Sequence, residues 1–289
     1  LIVENAQKGK TVVRLKGGDP MIFGRGGEEA AELAEAGVPF EIVPGISSAI
    51  GGVAYAGIPV THRDYCSQLT LFTGHEDPTK EETSLDYKKL AEADGTKVFL
   101  MGVSRLAEIT GELIANGADE STPIALIRWA TTGRQRTIEG TLGTIAGIAE
   151  KENFSSPAVA VLGEVVKERA KINWFESRPL FGKRIVVTRT REQAGELSAC
   201  LSELGADVME LPTIRIEPPQ NAKEFAHLVQ DVHTYDWVVF TSPNGVERFF
   251  EGFFAAYDDA RSFGKPRIAA IGPSTAKKIA EYRFDTDLM

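Results

Sequence analysis

Val12-Val13-Arg14-Leu15-Lys16-Gly17-Gly18-Asp19-Pro20 is a short β-branched run that ends in two glycines, an acid and a proline. The pattern predicts a buried strand, Thr11 to Leu15, running into a tight turn. A helical pattern follows from Glu28 to Ala36 and stops at Gly37. In an open α/β sheet, ligands sit where the carboxyl end of a strand meets such a turn. Gly17 and Gly18 carry no Cβ, so a ligand can approach the backbone closely. Asp19 can accept hydrogen bonds from a ribose or an ammonium group. Taken alone, a strand-Gly-Gly-Asp segment is more often only a turn.

Working outward, Leu1 to Lys8 reads as the end of a helix, and Val38 to Val43 as a second strand. Pro44-Gly45-Ile46-Ser47-Ser48 is another sharp strand-to-helix turn, in which Ser47 or Ser48 caps a small-residue helix, Ala49 to Ala56. Further strands are expected over Gln68 to His75, Lys97 to Met101, Pro123 to Trp129 and Ala158 to Leu162, with an exposed or edge strand over Arg136 to Thr141. Helices over Arg105 to Asn116 and Thr144 to Glu152 lie between them. Glu176 to Gly182 is a compositional break, read as a linker. Beyond it come strands at Arg184 to Arg189, Asp207 to Leu211, Asp236 to Phe240 and Arg267 to Ile271, with helices between and an extended crossover over Pro212 to Asn221. This alternation predicts mostly parallel sheets.

The chain has 289 residues, a length for two or three domains, and 43% hydrophobic content suits sizeable cores. A net charge of -9 argues against a nucleic-acid binder but leaves room for a local basic pocket. Cys66 and Cys200 lie far apart without CxxC spacing, so no zinc site or disulfide framework is expected, which fits a cytoplasmic protein. No run approaches membrane-spanning length, and no signal peptide is visible. The chain opens on Leu1 almost directly into a strand and reads as a fragment, open at both ends.

The runs Lys16-Gly17-Gly18-Asp19-Pro20-Met21-Ile22-Phe23-Gly24-Arg25-Gly26-Gly27-Glu28-Glu29 and Val43-Pro44-Gly45-Ile46-Ser47-Ser48, continuing to Pro59-Val60-Thr61-His62-Arg63-Asp64-Tyr65, resemble the tetrapyrrole methylases, most of all uroporphyrinogen-III C-methyltransferases. The resemblance covers about Val12 to Phe175. It implies a two-domain α/β fold with its N-terminal domain truncated here, the cofactor S-adenosylmethionine with S-adenosylhomocysteine as product, and two methylations of uroporphyrinogen III to precorrin-2. It implies cofactor contacts at Gly17, Gly18, Asp19, Ile22, Ser47, Ser48, Met101 and Ala130. Ser47-Ser48 stands for the family's Thr-Ala, and Ala130 stands where relatives often have glycine. The substrate that the resemblance implies is an octacarboxylate, which calls for cations, and Arg25, His62, Arg63 and His75 are the candidates. The family's proposed acid-base residues lie upstream of the Gly-Gly-Asp, so no catalytic residue is assigned.

A second resemblance runs from Lys183-Arg184-Ile185-Val186-Val187-Thr188-Arg189 through Thr241-Ser242-Pro243-Asn244-Gly245 to Gly272-Pro273-Ser274-Thr275. These resemble uroporphyrinogen-III synthase, which cyclises hydroxymethylbilane. The resemblance implies a partial flavodoxin-like α/β region. Arg189, Thr241, Ser242, Asn244, Gly272, Ser274 and Thr275 are its candidate substrate contacts, and helix capping is an equal reading of each hydroxyl.

The domains expected are 1–66 and 67–175 for the two parts of the methylase, 176–182 as linker and 183–289 for the partial synthase. Adjacent steps of sirohaem and cobalamin biosynthesis would then lie on one chain. The partners expected are the tetrapyrrole substrates, with no nucleic acid, metal or membrane, and a homodimer through the methylase part. The fragment itself is expected to be inactive. The rivals are a methylase for a later precorrin, a non-enzymatic two-domain solute-binding protein, and a nicotinamide oxidoreductase. The last needs a GxGxxG turn that Gly24-Arg25-Gly26-Gly27 does not supply.

Overall fold

The computed structural model describes residues 1–74, 83–189, 191–217 and 219–289, with the backbone alone for 191–194. They form two compact units, Leu1–Leu211 and Pro212–Met289.

The first unit is built on a five-stranded sheet, in spatial order β1 (Leu69–Thr73), β2 (Thr96–Leu100), β5 (Ala158–Leu162), β3 (Pro123–Arg128) and β4 (Arg136–Thr141). Helix α4 (Tyr87–Glu92) lies between β1 and β2, which are parallel. Every other pairing in this sheet is antiparallel, which corrects the expectation of a mostly parallel sheet. Strands β3 and β4 are joined by the short loop 129–135, too short for a parallel crossover. Strand β5 enters between β2 and β3, antiparallel to both. The edge position expected for Arg136 to Thr141 holds.

The pleat divides the core. Phe99, Leu126, Ala160 and Leu162 face one side, against α5 (Leu106–Ala115) and α6 (Ile145–Lys151). Val98, Ala125, Ile127, Val159 and Val161 face the other, against α3 (Ser48–Tyr55) through Ala49 and Val53. Burial on both faces explains why Ala158 to Leu162 is a continuous apolar run.

Ahead of α3 come α1 (Ile2–Ala6) and α2 (Gly26–Glu35). The strands expected over Thr11 to Leu15 and Val38 to Val43 are absent: both segments run without a ladder among the described residues. A strand exists only through its hydrogen-bonded neighbour, and none is supplied here. The apolar side chains of these segments are accordingly outward, Val13 and Leu15 each 83% exposed.

After α7 (Arg169–Ile172), a parallel pair follows, β6 (Arg184–Val187) and β7 (Asp207–Glu210), connected by α8 (Arg191–Glu203). The 176–182 segment is a series of turns tied on both sides. The Leu180 N–H donates to the Leu204 carbonyl at 2.9 Å. Upstream, Glu176 accepts from Thr137 Oγ1 at 2.6 Å, Gln135 Nε2 at 2.9 Å and Arg169 at 2.5 Å. Arg169 is 8% exposed and also reaches Glu139 at 2.8 Å and the Ala56 carbonyl at 2.6 Å. Its buried charge is therefore paired and hydrogen-bonded.

The second unit pairs β8 (Trp237–Phe240) with β9 (Arg267–Ala270) in parallel, beside α9 (Ala222–Gln230), α10 (Pro243–Ala256) and α11 (Pro273–Glu281). Its core is aromatic, centred on Phe250 and Phe253. Phe250 stacks with Tyr282 at 4.6 Å between centroids. No described helix is long and apolar enough to cross a membrane.

Candidate active site

A cleft of about 650 Å³ opens in the first unit where the ends of β2 and β3 meet the start of β5. It is lined by the Lys16-Gly17-Gly18-Asp19 turn, Ile22, Phe23 and Gly24, and by Ser47 and Ser48 at the head of α3. Leu100, Met101, Ile127, Trp129, Ala130 and the Ser156 to Val159 segment complete the wall. All eight cofactor positions expected from the sequence lie here. The wall also contains residues that sequence reasoning passed over: Lys16, Phe23, Trp129, Ser156 and Pro157. Trp129 was legible as the neighbour of Ala130, one step past the strand end.

Two turns build the floor. Asp19 Oδ1 accepts the Met21 N–H at 2.8 Å, and its Oδ2 accepts the Gly45 N–H at 3.0 Å. These backbone donors, Gly45 first, hold the Asp19 carboxyl below the usual carboxylate range. A Cβ on Gly45 would come 3.0 Å from the Gly18 carbonyl oxygen, so glycine lets the two turns approach without displacing each other. A Cβ on Gly17 would meet nothing, which leaves that backbone open to the cleft. Ser47 is the buried N-cap of α3, its Oγ accepting from the Ala49 N–H at 3.3 Å. On α3, a Cβ at Gly52 would sit 3.2 Å from the Ala130 Cβ, so the small-residue helix is what brings that wall in.

Backbone strain gathers at this cleft. Phe23, Met101 and Trp129 line it with φ of 52°, 58° and 48°, and their neighbours Arg25 and Thr131 have φ of 58° and 70°. Left-handed conformations at bulky residues persist only where the surroundings enforce them, and they concentrate at functional sites.

The expected substrate cations are distributed differently. Arg25 lies beside the cleft turn and pairs with Glu28 at 2.6 Å. His62 and Arg63 belong to a loop that closes on itself through a His62–Cys66 bridge, and Cys66 Sγ lies 3.1 Å from Thr96 Oγ1, at the start of β2. Leu100, at the cleft, is the other end of that strand. The separation is about 13 Å along the strand at 3.3 Å per residue. The Tyr65 hydroxyl of the same loop donates to Glu168 Oε1 at 3.0 Å. His75 lies outside the described residues.

In the second unit the β8–α10 and β9–α11 turns lie side by side, because the strands are parallel neighbours. Ser242 Oγ accepts the Gly245 N–H at 3.2 Å as the cap of α10. Thr275 is 1% exposed and its hydroxyl donates to the Ile271 carbonyl at 3.0 Å, so its oxygen faces inward. Thr241, Asn244, Gly272 and Ser274 remain at the strand-end rim, with Gly272 at φ 87°. Arg189 is exposed, two residues past β6 in the first unit.

The family profile of the tetrapyrrole (corrin/porphyrin) methylases matches residues 1–146. The chain belongs to that family. A profile of uroporphyrinogen-III synthase HemD matches residues 195–289 of this tetrapyrrole methylase. A porphyrin biosynthesis protein HemD from Ruminiclostridium josui is 40% identical over 290 residues, 99% of this chain and 57% of that protein. A uroporphyrinogen-III C-methyltransferase of Bacillus subtilis is 49% identical over 176 residues, 61% of this chain and 68% of that protein. Among solved structures, uroporphyrin-III C-methyltransferase from Thermus thermophilus, complexed with S-adenyl homocysteine, aligns with a TM-score of 0.50 and 37% identity. That alignment covers 57% of this chain and 68% of the Thermus chain. The chain spans little more than half the length of the curated relatives that match nearly all of it.

Proposed function

We propose that this chain belongs to an enzyme that C-methylates uroporphyrinogen III to precorrin-2 with S-adenosylmethionine, and that its later part contributes to the cyclisation of hydroxymethylbilane. The observation that carries the reading is the cleft itself. Its wall combines the open Gly17 backbone, the anchored Asp19 and the apolar Leu100, Met101 and Ile127. That mixture suits an adenosine-bearing sulfonium, which needs an apolar bed and a few placed polar groups. Gly17, Gly18, Asp19, Ile22, Ser47, Ser48, Met101 and Ala130 would hold it. When bound, the cofactor supplies an electrophilic methyl group.

The contribution of the chain's own residues is position. Asp19 locks the two turns that form the floor, and the strained Met101 and Trp129 shape the wall. Alignment of two reactants is a large part of the barrier in such transfers. Lys16 and Asp19 are the ionisable groups of the described lining, and both are bonded within the floor. No general base is assigned here. Arg25, His62, Arg63 and His75 remain substrate-side candidates. Arg189, Thr241, Ser242, Asn244, Gly272, Ser274 and Thr275 are the corresponding positions for the synthase reaction.

We also propose the division 1–66, 67–175, 176–182 and 183–289 by origin of the parts, a homodimer through the methylase part, and a cytoplasmic location. The test of function is calorimetry of the chain with S-adenosylhomocysteine, with NADH as control. Saturable binding of the first and none of the second is expected. Binding of NADH alone would overturn the reading. Light scattering addresses the dimer.

A further inference from the structure

Trp129, on the wall of the cleft, is flanked by two arginines that none of the expected positions includes. Trp129 lines the cleft, 37% exposed, and its backbone is left-handed at φ 48°. The Arg128 guanidinium lies over this ring at 3.8 Å from the centroid, and the Arg134 guanidinium at 5.1 Å. Among the described residues neither arginine is well neutralised. Arg128 Nε is buried without a hydrogen-bond partner among the described residues. Directly across the ladder from Arg128 is Arg136, a like charge that is itself compensated by Glu152 at 2.6 Å. Among the described residues Arg134 pairs with Asp207 alone, at 3.7 Å, and its side chain is 48% exposed.

Other cations associated with the cleft are committed. Lys16 Nζ donates to the Gly24 carbonyl at 2.8 Å and pairs with Glu29 at 2.5 Å. Arg25 pairs with Glu28, and the His62–Arg63 loop sits at the far end of β2. An octacarboxylate approaching a chain of net charge -9 needs a local positive patch at the mouth of its site. Planar guanidinium forks are suited to carboxylates, and an indole face is suited to a pyrrole.

We propose that Arg128, Trp129 and Arg134 form the tetrapyrrole-facing wall of this cleft. Trp129 packs against a pyrrole ring, and the two guanidiniums meet the acidic side chains of the macrocycle. The two arginines set substrate specificity and do not bind the cofactor. The assignment rests on the function proposed above.

The probe is uroporphyrin III, the oxidised, fluorescent octacarboxylate, titrated into the chain, with S-adenosylhomocysteine titrated separately by calorimetry. Arg134→Gln is a half-exposed change, and Arg128→Gln completes the set. Each variant is expected to weaken uroporphyrin binding by about fivefold or more, the scale of a lost charge-assisted contact, with S-adenosylhomocysteine affinity retained. Added salt should weaken wild-type binding more than that of Arg134→Gln. Wild-type uroporphyrin affinity in both arginine variants overturns the assignment, as does a loss confined to S-adenosylhomocysteine. If the wild-type chain binds S-adenosylhomocysteine but no uroporphyrin, the proposed substrate falls and this wall with it.

Discussion

Asp19 Oδ2 accepts the Gly45 backbone N–H at 3.0 Å, and this one bond joins the Gly-Gly-Asp turn to the Pro-Gly turn that opens α3. The acid expected as a direct ligand contact thus also holds the floor together. Asp19→Ala should weaken S-adenosylhomocysteine binding by roughly tenfold or more, the scale of losing charge-assisted bonds to two backbone donors. Asp19→Asn, which keeps an acceptor oxygen, should lose less. The lowered Asp19 pKa gives the pH dependence a sign: the loop order is fully present above the ordinary carboxylate range and is lost as pH falls through the depressed folded value. Calorimetry across that range checks it, and equal affinity of Asp19→Ala and wild type would refute the role.

Arg169 is the second test. Its guanidinium joins the end of α3, the edge strand β4 and Glu176. Arg169→Ala should cost about 3–5 kcal/mol, because it leaves Glu176 nearly buried and unpaired. Replacing Arg169 and Glu176 together by apolar residues should cost less than Arg169→Ala alone. Urea unfolding reads both, and a larger loss in the double variant would contradict the account.

Gly133 touches the β7 entry so closely that a Cβ would lie 2.3 Å from the Asp207 nitrogen. Gly133→Ala should therefore destabilise by about 1–3 kcal/mol through overpacking. Hydrogen exchange should quicken over 184–187 and 207–210. Unchanged exchange there would show that the loop yields without disturbing the pair.

Phe250 is fully buried in the aromatic core of the second unit. Phe250→Ala should cost about 3–5 kcal/mol. The loss should appear in the exchange of 237–240 and 267–270 while the five-stranded sheet keeps its protection. Limited proteolysis should open the chain between Leu211 and Asn221, at the boundary of the units, before it cuts the bonded turns of 176–182. Early cleavage at 176–182 would mean that the Glu176 and Leu180 contacts do not hold the segment.

Much of this protein was legible in local chemistry. Helix ends declared themselves through Ser47, Ser242 and the glycines at 37 and 117, and the apolar run of β5 fell within its observed bounds, because capping and burial act over a few residues. The eight positions that the family resemblance implied for the cofactor all fall on the wall of one cleft. Strand direction was not: alternation of helix and strand is the same string whether β5 enters parallel or antiparallel, and only the sheet shows that it runs against both neighbours. Nor was strand status at Thr11 to Leu15, where β-branched residues satisfy the pattern but a ladder needs a second segment. The grouping of cations had the same origin. His62 and Arg63 look like neighbours of the cleft in the sequence, but the length of β2 separates them from it, whereas Trp129 gathers Arg128 and Arg134 beside it. Spacing along a chain sets residue types and turns, and distance across a sheet is decided only when the strands pair.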